Sequence, residues 1–343
     1  MSKRVAIIGG GPAGLECAAA LKKMGISVML FDREKETGGH LKEWHELFPD
    51  RRKSSEILNL LNADFHHNSI EIFSNTTVER IAKTNNIFTI HTLDHSTHEA
   101  DAVVMATGFD LFDATRKEEY GYGIYENVIT SAGLEQMFAS PEKLITHQGI
   151  VPRRIGLVHC VGSRDEKVGH LYCSKVCCIT AVKQAIEIRQ LLPESQVTCF
   201  YMDLRMYGRH FEELYNEAQE KWNVRFIRGR LSEAAEIQDG SIIIKVEDTL
   251  TGRPLKMNVD LLVLMAGMVP SAFVPEVLSS QAISFGQDGF MLPPDALLGN
   301  NKSGVTGLFY AGTCTGPKSI PESLADARSA AMEVAGFLNE KIS

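Results

Sequence analysis

The sequence has no apolar run that approaches the roughly 20 residues a helix needs to span a bilayer. Its first residues, MSKRVAIIGGG, lead directly into an apolar segment and show no signal-peptide pattern. Positive charge is also in deficit, since 35 Lys and Arg stand against 43 Asp and Glu, giving a net charge of -8. We therefore expect a cytoplasmic protein that binds neither nucleic acid nor an anionic membrane surface.

Cysteine is scarce, with seven residues in 343, yet four of them fall within the segment VHCVGSRDEKVGHLYCSKVCC. The spacing Cys-x12-Cys-x3-Cys-Cys is formed by Cys160, Cys173, Cys177 and Cys178. If a helix covers the end of this segment, the second and third cysteines share a face and the fourth lies about 100° further round. Gly162 and Gly169 allow the chain to fold back so that the first cysteine, at a strand end, joins them.

This spacing alone leaves three interpretations open. Four thiolates in one short segment are enough to hold an iron–sulfur cluster. A zinc site or a redox dithiol formed by Cys173 and Cys177 would use the same side chains, and isolated cysteines are often small buried hydrophobic residues. A reducing compartment favours metal or redox chemistry over structural disulfides.

The N-terminal segment carries a dinucleotide-binding motif in the context that gives the motif its meaning. An apolar strand is predicted over 4–8, and Gly9, Gly11 and Gly14 follow as Gly-x-Gly-x-x-Gly before a helical pattern. The three glycines allow a tight turn, close approach of a pyrophosphate, and close packing of helix against strand. A second predicted strand ends at Asp32, whose carboxylate can accept hydrogen bonds from a ribose diol.

Further segments resemble the two-dinucleotide flavoproteins, the family of glutathione and thioredoxin reductases. Ala106-Thr107-Gly108 ends a buried strand, and Gly312-Thr313 ends another before a helix predicted to begin near Pro321. In this family an acid follows the last glycine and bonds the ribityl chain, whereas here Thr313 supplies a hydroxyl that can donate and accept. The resemblance implies an FAD site made of Gly9, Gly11, Pro12, Ala13, Gly14, Asp32, Arg33, Gly39, His40, Leu41, Val78, Ala106, Thr107, Gly108, Gly312, Thr313, Lys318, Ser319, Ile320 and Ala325.

A second half of the same type begins at Arg154. Its order is strand RIGLVHCVGS, helix SKVCCITAVKQAIEIRQLL and strand QVTCFYMD, but the glycine fingerprint of an NAD(P)H domain is missing after the first strand. We expect an α/β protein with two Rossmann-like domains of the two-dinucleotide-binding flavoprotein class, with small antiparallel meanders. The predicted ranges are 1–112 and 267–343 for a discontinuous FAD-binding domain, 113–150 for a connecting segment, and 151–266 for a degenerate NAD(P)-like domain with the cysteine motif.

The cysteine segment, together with YGYGIYENVIT, YMDLRMYGRHFEELYNEAQEKWNVRFIRGR and YAGTCTGPKSIPESLADA, resembles the HdrA family of heterodisulfide reductases, in the short form of sulfur-oxidising bacteria. The resemblance implies a [4Fe–4S] cluster on Cys160, Cys173, Cys177 and Cys178, in addition to FAD. It also implies an oxidoreductase subunit, forming a homodimer, that relays electrons between flavin and B-type and C-type partner subunits in thiol, disulfide or sulfane metabolism. In this role the cysteines carry electrons, and no residue is needed as a general base.

Two other functions remain open. A thioredoxin-reductase-like enzyme would reduce disulfides with NAD(P)H through Cys173 and Cys177, and a flavin-binding assembly scaffold would hold structural zinc on the cysteines. Lys318 is expected to tune the flavin by its positive charge, whereas Cys314 is either close to the flavin or plain core. A basic patch or a solvated rim is predicted from Arg205, Arg209, Arg228 and Arg230.

Overall fold

The computed structural model describes residues 3–66, 70–140, 144–274 and 283–340. Its strands are β1 Arg4–Ile8, β2 Ser27–Phe31, β3 Glu46–Leu47, β4 Arg52–Lys53, β5 Glu71–Phe73, β6 Val78–Thr84, β7 Ile87–Thr92, β8 Thr97–Ala100, β9 Ala102–Met105, β10 Phe109–Leu111, β11 Val128–Thr130, β12 Arg154–Val161, β13 Gln196–Tyr201, β14 Arg225–Arg228, β15 Leu231–Glu236, β16 Ile242–Asp248, β17 Arg253–Val259, β18 Leu261–Ala266, β19 Met268–Pro270 and β20 Leu308–Tyr310. Its α-helices are α1 Pro12–Lys23, α2 Ser54–His66, α3 Ser131–Ala139, α4 Cys177–Leu191, α5 Phe211–Glu220 and α6 Ile320–Glu340.

The chain forms two compact units. Unit 1 consists of residues Met1–Lys42, Ser55–Asp110 and Val269–Ser343, and unit 2 of Glu43–Ser54 and Leu111–Met268. No helix within the described residues is long and apolar enough to cross a membrane.

Unit 1 is built on a parallel sheet of five strands in the order β20-β9-β1-β2-β5. The central strands β1 and β9 are continuous apolar runs, as expected when both faces of a parallel sheet are covered. The antiparallel meander β6-β7-β8 packs through Ile81, Phe88 and Ile90 against one group of buried sheet side chains. Helices α1 and α6 pack against each other and against the sheet.

Unit 2 repeats this architecture with a parallel sheet in the order β11-β18-β12-β13-β14. Its core lies between the sheet and helices α3, α4 and α5, where Leu157 of β12 and Val263 of β18 pack with Ile186 of α4. A second antiparallel meander, β15-β16-β17, follows the last sheet helix. The α/β class and the two Rossmann-like halves predicted from the sequence are therefore confirmed.

Some boundaries differ from those predicted. The meander of unit 1 begins at Val78 rather than Ile70, because β5 pairs with β2 in the parallel sheet. Residues 43–54 group with unit 2, where the backbone N–H of His45 donates to the Glu135 carboxylate at 2.8 Å. The stretch from 111 onward also groups with unit 2 rather than forming a separate connection. The assignment of functions to the four predicted ranges stays a prediction.

Candidate functional site

Four predicted motifs of unit 1 meet at one edge of its parallel sheet. Strands β1, β2, β9 and β20 run in the same direction, so their carboxyl ends bring together the glycine turn, Asp32, the Ala106–Gly108 segment and Gly312. Ligands of open α/β sheets bind outside this edge. The structure therefore unites in one place motifs that lie more than 300 residues apart in the sequence.

The glycine turn is shaped to leave room in front of a helix. Gly9 has φ +109°, and a Cβ there would overlap the carbonyl oxygen of Ala106, while a Cβ on Gly14 would overlap the carbonyl of Gly9. A Cβ on Gly11 would meet no atom within 4 Å, and Gly11 is the N-cap of α1, whose first turn contains Pro12 and Ala13. The open space thus faces a helix N-terminus, where backbone N–H groups and the helix dipole favour a phosphate.

Asp32 closes this turn from the neighbouring strand. Its Oδ2 accepts from the N–H of Gly10 and its Oδ1 from the N–H of Glu34, both at 2.8 Å. Burial raises the pKa of Asp32, and these two backbone donors act in the opposite direction. Its carboxylate therefore positions the glycine turn, besides being available to a ribose diol.

The other two strand ends offer polar groups at the same edge. The Thr107 hydroxyl is buried with no hydrogen-bond partner among the described residues, as expected of a group that awaits a ligand. Gly108 has φ +73°, and a Cβ there would approach the Thr313 hydroxyl at 3.9 Å. Thr313 itself is buried. These groups fit a cofactor with its own polar atoms at this position.

Asp326 is a site residue that sequence reasoning missed. It lies on α6, and its Oδ2 accepts from the backbone N–H of Gly312 at 2.7 Å. The buried Asn301 side chain donates to Asp326 Oδ1 at 3.1 Å. The acid expected directly after Gly312 in flavoprotein reductases is thus absent from the strand end, and a carboxylate reaches the same loop from the helix. The available signal was an aspartate on the buried face of the last helix.

Lys318 is held by the loop that follows β20. Its Nζ donates to the Gly312 carbonyl at 2.7 Å and to the Thr315 hydroxyl at 2.6 Å, and Asp326 lies 3.6 Å away. Ser319 and Glu322 form a reciprocal capping box before α6, which begins at Ile320.

The remaining residues of the predicted FAD site are placed less uniformly. Leu41 and Val78 are buried, and a Cβ on Gly39 would approach the Cα of Gly11 at 3.2 Å. The His40 ring lies 3.0 Å from the Phe109 carbonyl oxygen through Nε2. Arg33, which forms ion pairs with Glu34 and Asp110, is exposed, and so is Ala325.

In unit 2 the cysteine motif occupies the corresponding edge of the second parallel sheet. Cys160 lies in β12 with φ +59°, where the register against β18 shifts between Val158 and Val161. In unit 1 only three residues separate β1 from α1, whereas residues 162–176 separate β12 from α4. A long loop with cysteines therefore stands where a glycine turn would hold a pyrophosphate.

This loop folds back on itself as predicted. Gly162 and Gly169 have φ +75° and +77°, and a Cβ on Gly162 would overlap the Phe112 ring. Asp165 and His170 exchange backbone hydrogen bonds at 2.8 and 3.1 Å. The hairpin returns the chain from the end of β12 toward the N-terminus of α4.

The predicted helix around the cysteines was wrong in its start. It was expected from Ser174, but α4 begins at Cys177, because Lys175 adopts φ +59°, which a right-handed helix does not accept. Cys173 therefore lies in the loop, and the expected shared helical face with Cys177 does not exist. The Lys175 backbone N–H donates to Cys173 Sγ at 3.3 Å.

The four thiols differ in environment. A hydrogen bond from Cys177 lowers the pKa of Cys160 to about 7 against the effect of burial, and Arg164 and Arg205 act in the same direction as Cys177. Burial raises the pKa of Cys178 to about 11. Cys160, Cys177 and Cys178 are buried and Cys173 is partly exposed, so one ligand position faces solvent. No cysteine forms a disulfide.

The other three cysteines behave as core residues. Cys17, Cys199 and Cys314 are buried, and burial raises the pKa of Cys17 and of Cys314 to about 12. The Cys314 thiol is bonded to the carbonyl oxygens of Met105 and Ala311. This environment favours the core interpretation of Cys314 over a chemical role.

The donor set fits an iron–sulfur cluster better than a single metal ion. Four sulfurs around one zinc ion lie about 3.8 Å apart, given Zn–S bonds of about 2.3 Å. Within the described part of the chain, the only three metal-binding groups whose ligand atoms all lie within 4.8 Å are His45, Glu46 and Glu187, and no three cysteines do so. Separate iron atoms of a cluster accept sulfurs at wider spacing. Ser163, whose buried hydroxyl has no full hydrogen-bond partner, lies next to Cys160 and contributes to lowering the pKa of that thiol.

A buried ion network anchors the cysteine loop. Asp165 is buried, and its Oδ2 lies 2.8 Å from Lys117 Nζ and pairs also with Arg230. Lys117 Nζ is 2.6 Å from the Glu119 carboxylate as well. The segment that follows β10, in which no chemistry was predicted, thus provides the buried cation that holds the loop.

Comparison with known proteins agrees with this geometry. Residues 1–130 match the family described as pyridine nucleotide-disulphide oxidoreductase. The HdrA-type chain of the H(2):CoB-CoM heterodisulfide,ferredoxin reductase of Methanothermobacter marburgensis is 39% identical over 242 residues, which cover 69% of this chain and 37% of that protein. The HdrA-type iron–sulfur chain of the CoB–CoM heterodisulfide reductase of Methanocaldococcus jannaschii is 42% identical over 240 residues, 68% of this chain and 36% of the relative.

Solved structures show the same fold at lower sequence similarity. Thioredoxin reductase of Lactococcus lactis superposes with a TM-score of 0.70 at 18% identity, covering 99% of this chain and 100% of that one. Thioredoxin reductase of T. acidophilum gives 0.67 at 19% identity and full coverage of both chains. The chain spans well under half the length of the curated relatives it matches. Over about 70% of its length, this chain belongs to the HdrA family of heterodisulfide reductase oxidoreductases, on a thioredoxin-reductase-like fold.

Proposed function

We propose that this protein is the FAD and [4Fe–4S] electron-transfer subunit of a cytoplasmic heterodisulfide-reductase-like complex. One observation carries the proposal: each of the two parallel sheets presents a cofactor-sized site at its carboxyl edge, and the two sites differ in chemistry. Unit 1 offers an open phosphate position at a helix N-terminus beside Gly11, and unit 2 offers four cysteines on one folded loop. The names of the relatives, which describe iron–sulfur chains of heterodisulfide reductases, support the same combination.

The residues of unit 1 would bind and orient FAD. The N–H groups at the start of α1 would receive the pyrophosphate next to Gly11, and Asp32 would accept the ribose hydroxyls. The buried Thr107 hydroxyl and Thr313 would meet polar atoms of the cofactor at the ends of β9 and β20. Lys318, fixed by the Gly312 carbonyl, would contribute positive charge.

The residues of unit 2 would hold the cluster. Cys160, Cys173, Cys177 and Cys178 would be its thiolate ligands, and the Lys175 backbone N–H already donates to one of these sulfurs. When bound, FAD exchanges two electrons, and a [4Fe–4S] cluster passes them on one at a time. The residues named here bind and tune these groups, and none acts as an acid or a base.

The proposal extends to the assembly and its metabolism. We infer a homodimer that works with B-type and C-type heterodisulfide-reductase-like subunits on thiols, disulfides or sulfane sulfur, in the manner of sulfur-oxidising bacteria. The test of the cofactor claim is the iron and acid-labile sulfide content per FAD of anaerobically purified protein. About four of each support it, whereas FAD without iron contradicts it.

One observation favours a second candidate, a dithiol reductase. The Cys160 and Cys177 thiols share a hydrogen bond that lowers the pKa of Cys160 to about 7, a value suited to an attacking thiolate. The pair that lies close is thus not the Cys173–Cys177 pair predicted from spacing. NADPH-dependent disulfide reduction by iron-free protein, lost in Cys160→Ser, would support this candidate.

A further inference from the structure

One edge of unit 2 is positively charged although the chain as a whole carries -8. The edge consists of residues 162–176 after β12, 202–210 after β13 and 228–230 at the end of β14. These residues include seven Lys and Arg and three Asp and Glu, for a net charge of +4. We call this surface the basic edge. A local reversal of the overall charge is a feature that steers a partner of opposite sign.

The three loops of the basic edge form one continuous surface. Strands β12, β13 and β14 are neighbours in the sheet, so their carboxyl ends lie side by side. Asp203 joins the loops, because it lies 2.7 Å from the Arg164 guanidinium and 3.3 Å from that of Arg228. Arg205 and Arg209 are exposed, and neither pairs with a carboxylate among the residues that the structure describes. Two cations of this surface are therefore available to an acidic partner.

Apolar side chains project from the same loops. Leu171 is 74% exposed and lies two residues before Cys173, the partly exposed cysteine of the motif. Tyr207, on the neighbouring loop between Arg205 and Arg209, is 67% exposed. Interfaces combine an apolar or aromatic centre with a charged rim, and this combination favours a protein partner over a nucleic acid.

We propose that the basic edge is the docking surface for an acidic electron-transfer protein, which exchanges single electrons with the cluster through the side of Cys173. The proposal rests on the function proposed above, because it requires a redox centre held by the four cysteines. In the step that it describes, a reduced acidic carrier loses one electron and the cluster gains it. No bond forms or breaks, and Leu171 and Tyr207 supply the apolar contact.

The test uses the holoprotein and a plant-type [2Fe–2S] ferredoxin, an acidic one-electron carrier, as the probe. Electron transfer from reduced ferredoxin is followed by stopped flow from about 10 to about 100 mM ionic strength, over which the Debye length falls from about 30 to about 10 Å. We expect the second-order rate constant to fall with rising ionic strength. The double variant Arg205→Glu/Arg209→Glu should lower it about tenfold or more at low ionic strength. The matched control is Arg253→Glu/Lys256→Glu, which reverses two exposed charges on β17 and should behave as the wild type.

Binding of oxidised ferredoxin, measured by calorimetry on the same proteins, separates docking from electron transfer. Salt-sensitive binding that the Arg205/Arg209 variant loses and the control keeps supports the docking surface. Equal binding by wild type and both variants overturns it, and so does preferential binding of a DNA oligonucleotide. Absence of iron from the holoprotein contradicts the proposed cluster instead, and the binding data still decide whether the basic edge recognises an acidic protein.

Discussion

Replacing Lys117 with methionine tests the buried ion network that anchors the cysteine loop. Lys117 is 1% exposed, and its ammonium contacts the carboxylates of Asp165 at 2.8 Å and Glu119 at 2.6 Å. Methionine keeps most of the volume but leaves the buried Asp165 carboxylate with Arg230 as its remaining cation. Breaking a buried pair in this way costs about 3–5 kcal/mol, and we expect about 3 kcal/mol because Arg230 remains.

The measurement is thermal unfolding of unit 2, followed by calorimetry. A loss of about 3 kcal/mol corresponds to a fall in Tm of about 6–12 °C for a unit of this size. The control is Lys221→Met, because Lys221 forms an exposed pair with Glu217 at 3.6 Å and should change stability by about 1 kcal/mol or less. An equal, small change in both variants would refute the buried network.

The pH dependence of stability provides a second check of this prediction. Burial opposes ionisation of Asp165, but its hydrogen bond from Lys117 and the Arg230 charge lower the pKa of the carboxyl. A group with a lowered pKa stabilises the folded state above its unfolded pKa of about 3.9, and this contribution disappears as pH falls through the folded value. The wild type should therefore lose stability on acidification below about pH 4, and Lys117→Met should show a smaller loss over the same range.

Three further predictions concern the two sites. Gly11→Val should weaken flavin binding about tenfold or more without unfolding the protein, because its side chain fills the open space at the start of α1, whereas Gly336→Val should leave the flavin content unchanged. Ser163→Ala should lower the reduction potential of the cluster by about 40 mV, equal to one hydrogen bond of about 1 kcal/mol, with no change in iron content; an unchanged potential in redox titration would contradict the role given to this hydroxyl. Cys314 should resist iodoacetamide in the native protein at pH 8 because burial raises its pKa to about 12, and rapid labelling of Cys314 by mass spectrometry would show that it is reactive.

The elements and the glycine turn were predictable because their signals are local. The apolar strand 4–8, Gly9 with its positive φ and the helix after Pro12 follow from residues within a short window. The wrong start of α4 also has a local cause, since the positive φ of Lys175 leaves little trace in a sequence that otherwise favours a helix. Residue type did not reveal this departure.

Contacts between distant residues were not predictable from the single sequence. Asp326 reaches Gly312 from fourteen residues away, and Lys117 reaches Asp165 across half of unit 2. Both interactions depend on how elements pack, which sequence spacing does not encode. The grouping of residues 43–54 with unit 2 has the same origin, because it results from the buried Glu135 on α3.

The most direct test of the account is the iron and acid-labile sulfide content per FAD of anaerobically purified protein, with an electron paramagnetic resonance spectrum after reduction. The account predicts about four irons and four sulfides per FAD and the signal of a reduced cluster. It further predicts that replacing Cys160, Cys173, Cys177 or Cys178 by serine removes this signal while FAD remains bound in unit 1. FAD without iron, together with four titratable thiols in the loop, would contradict it.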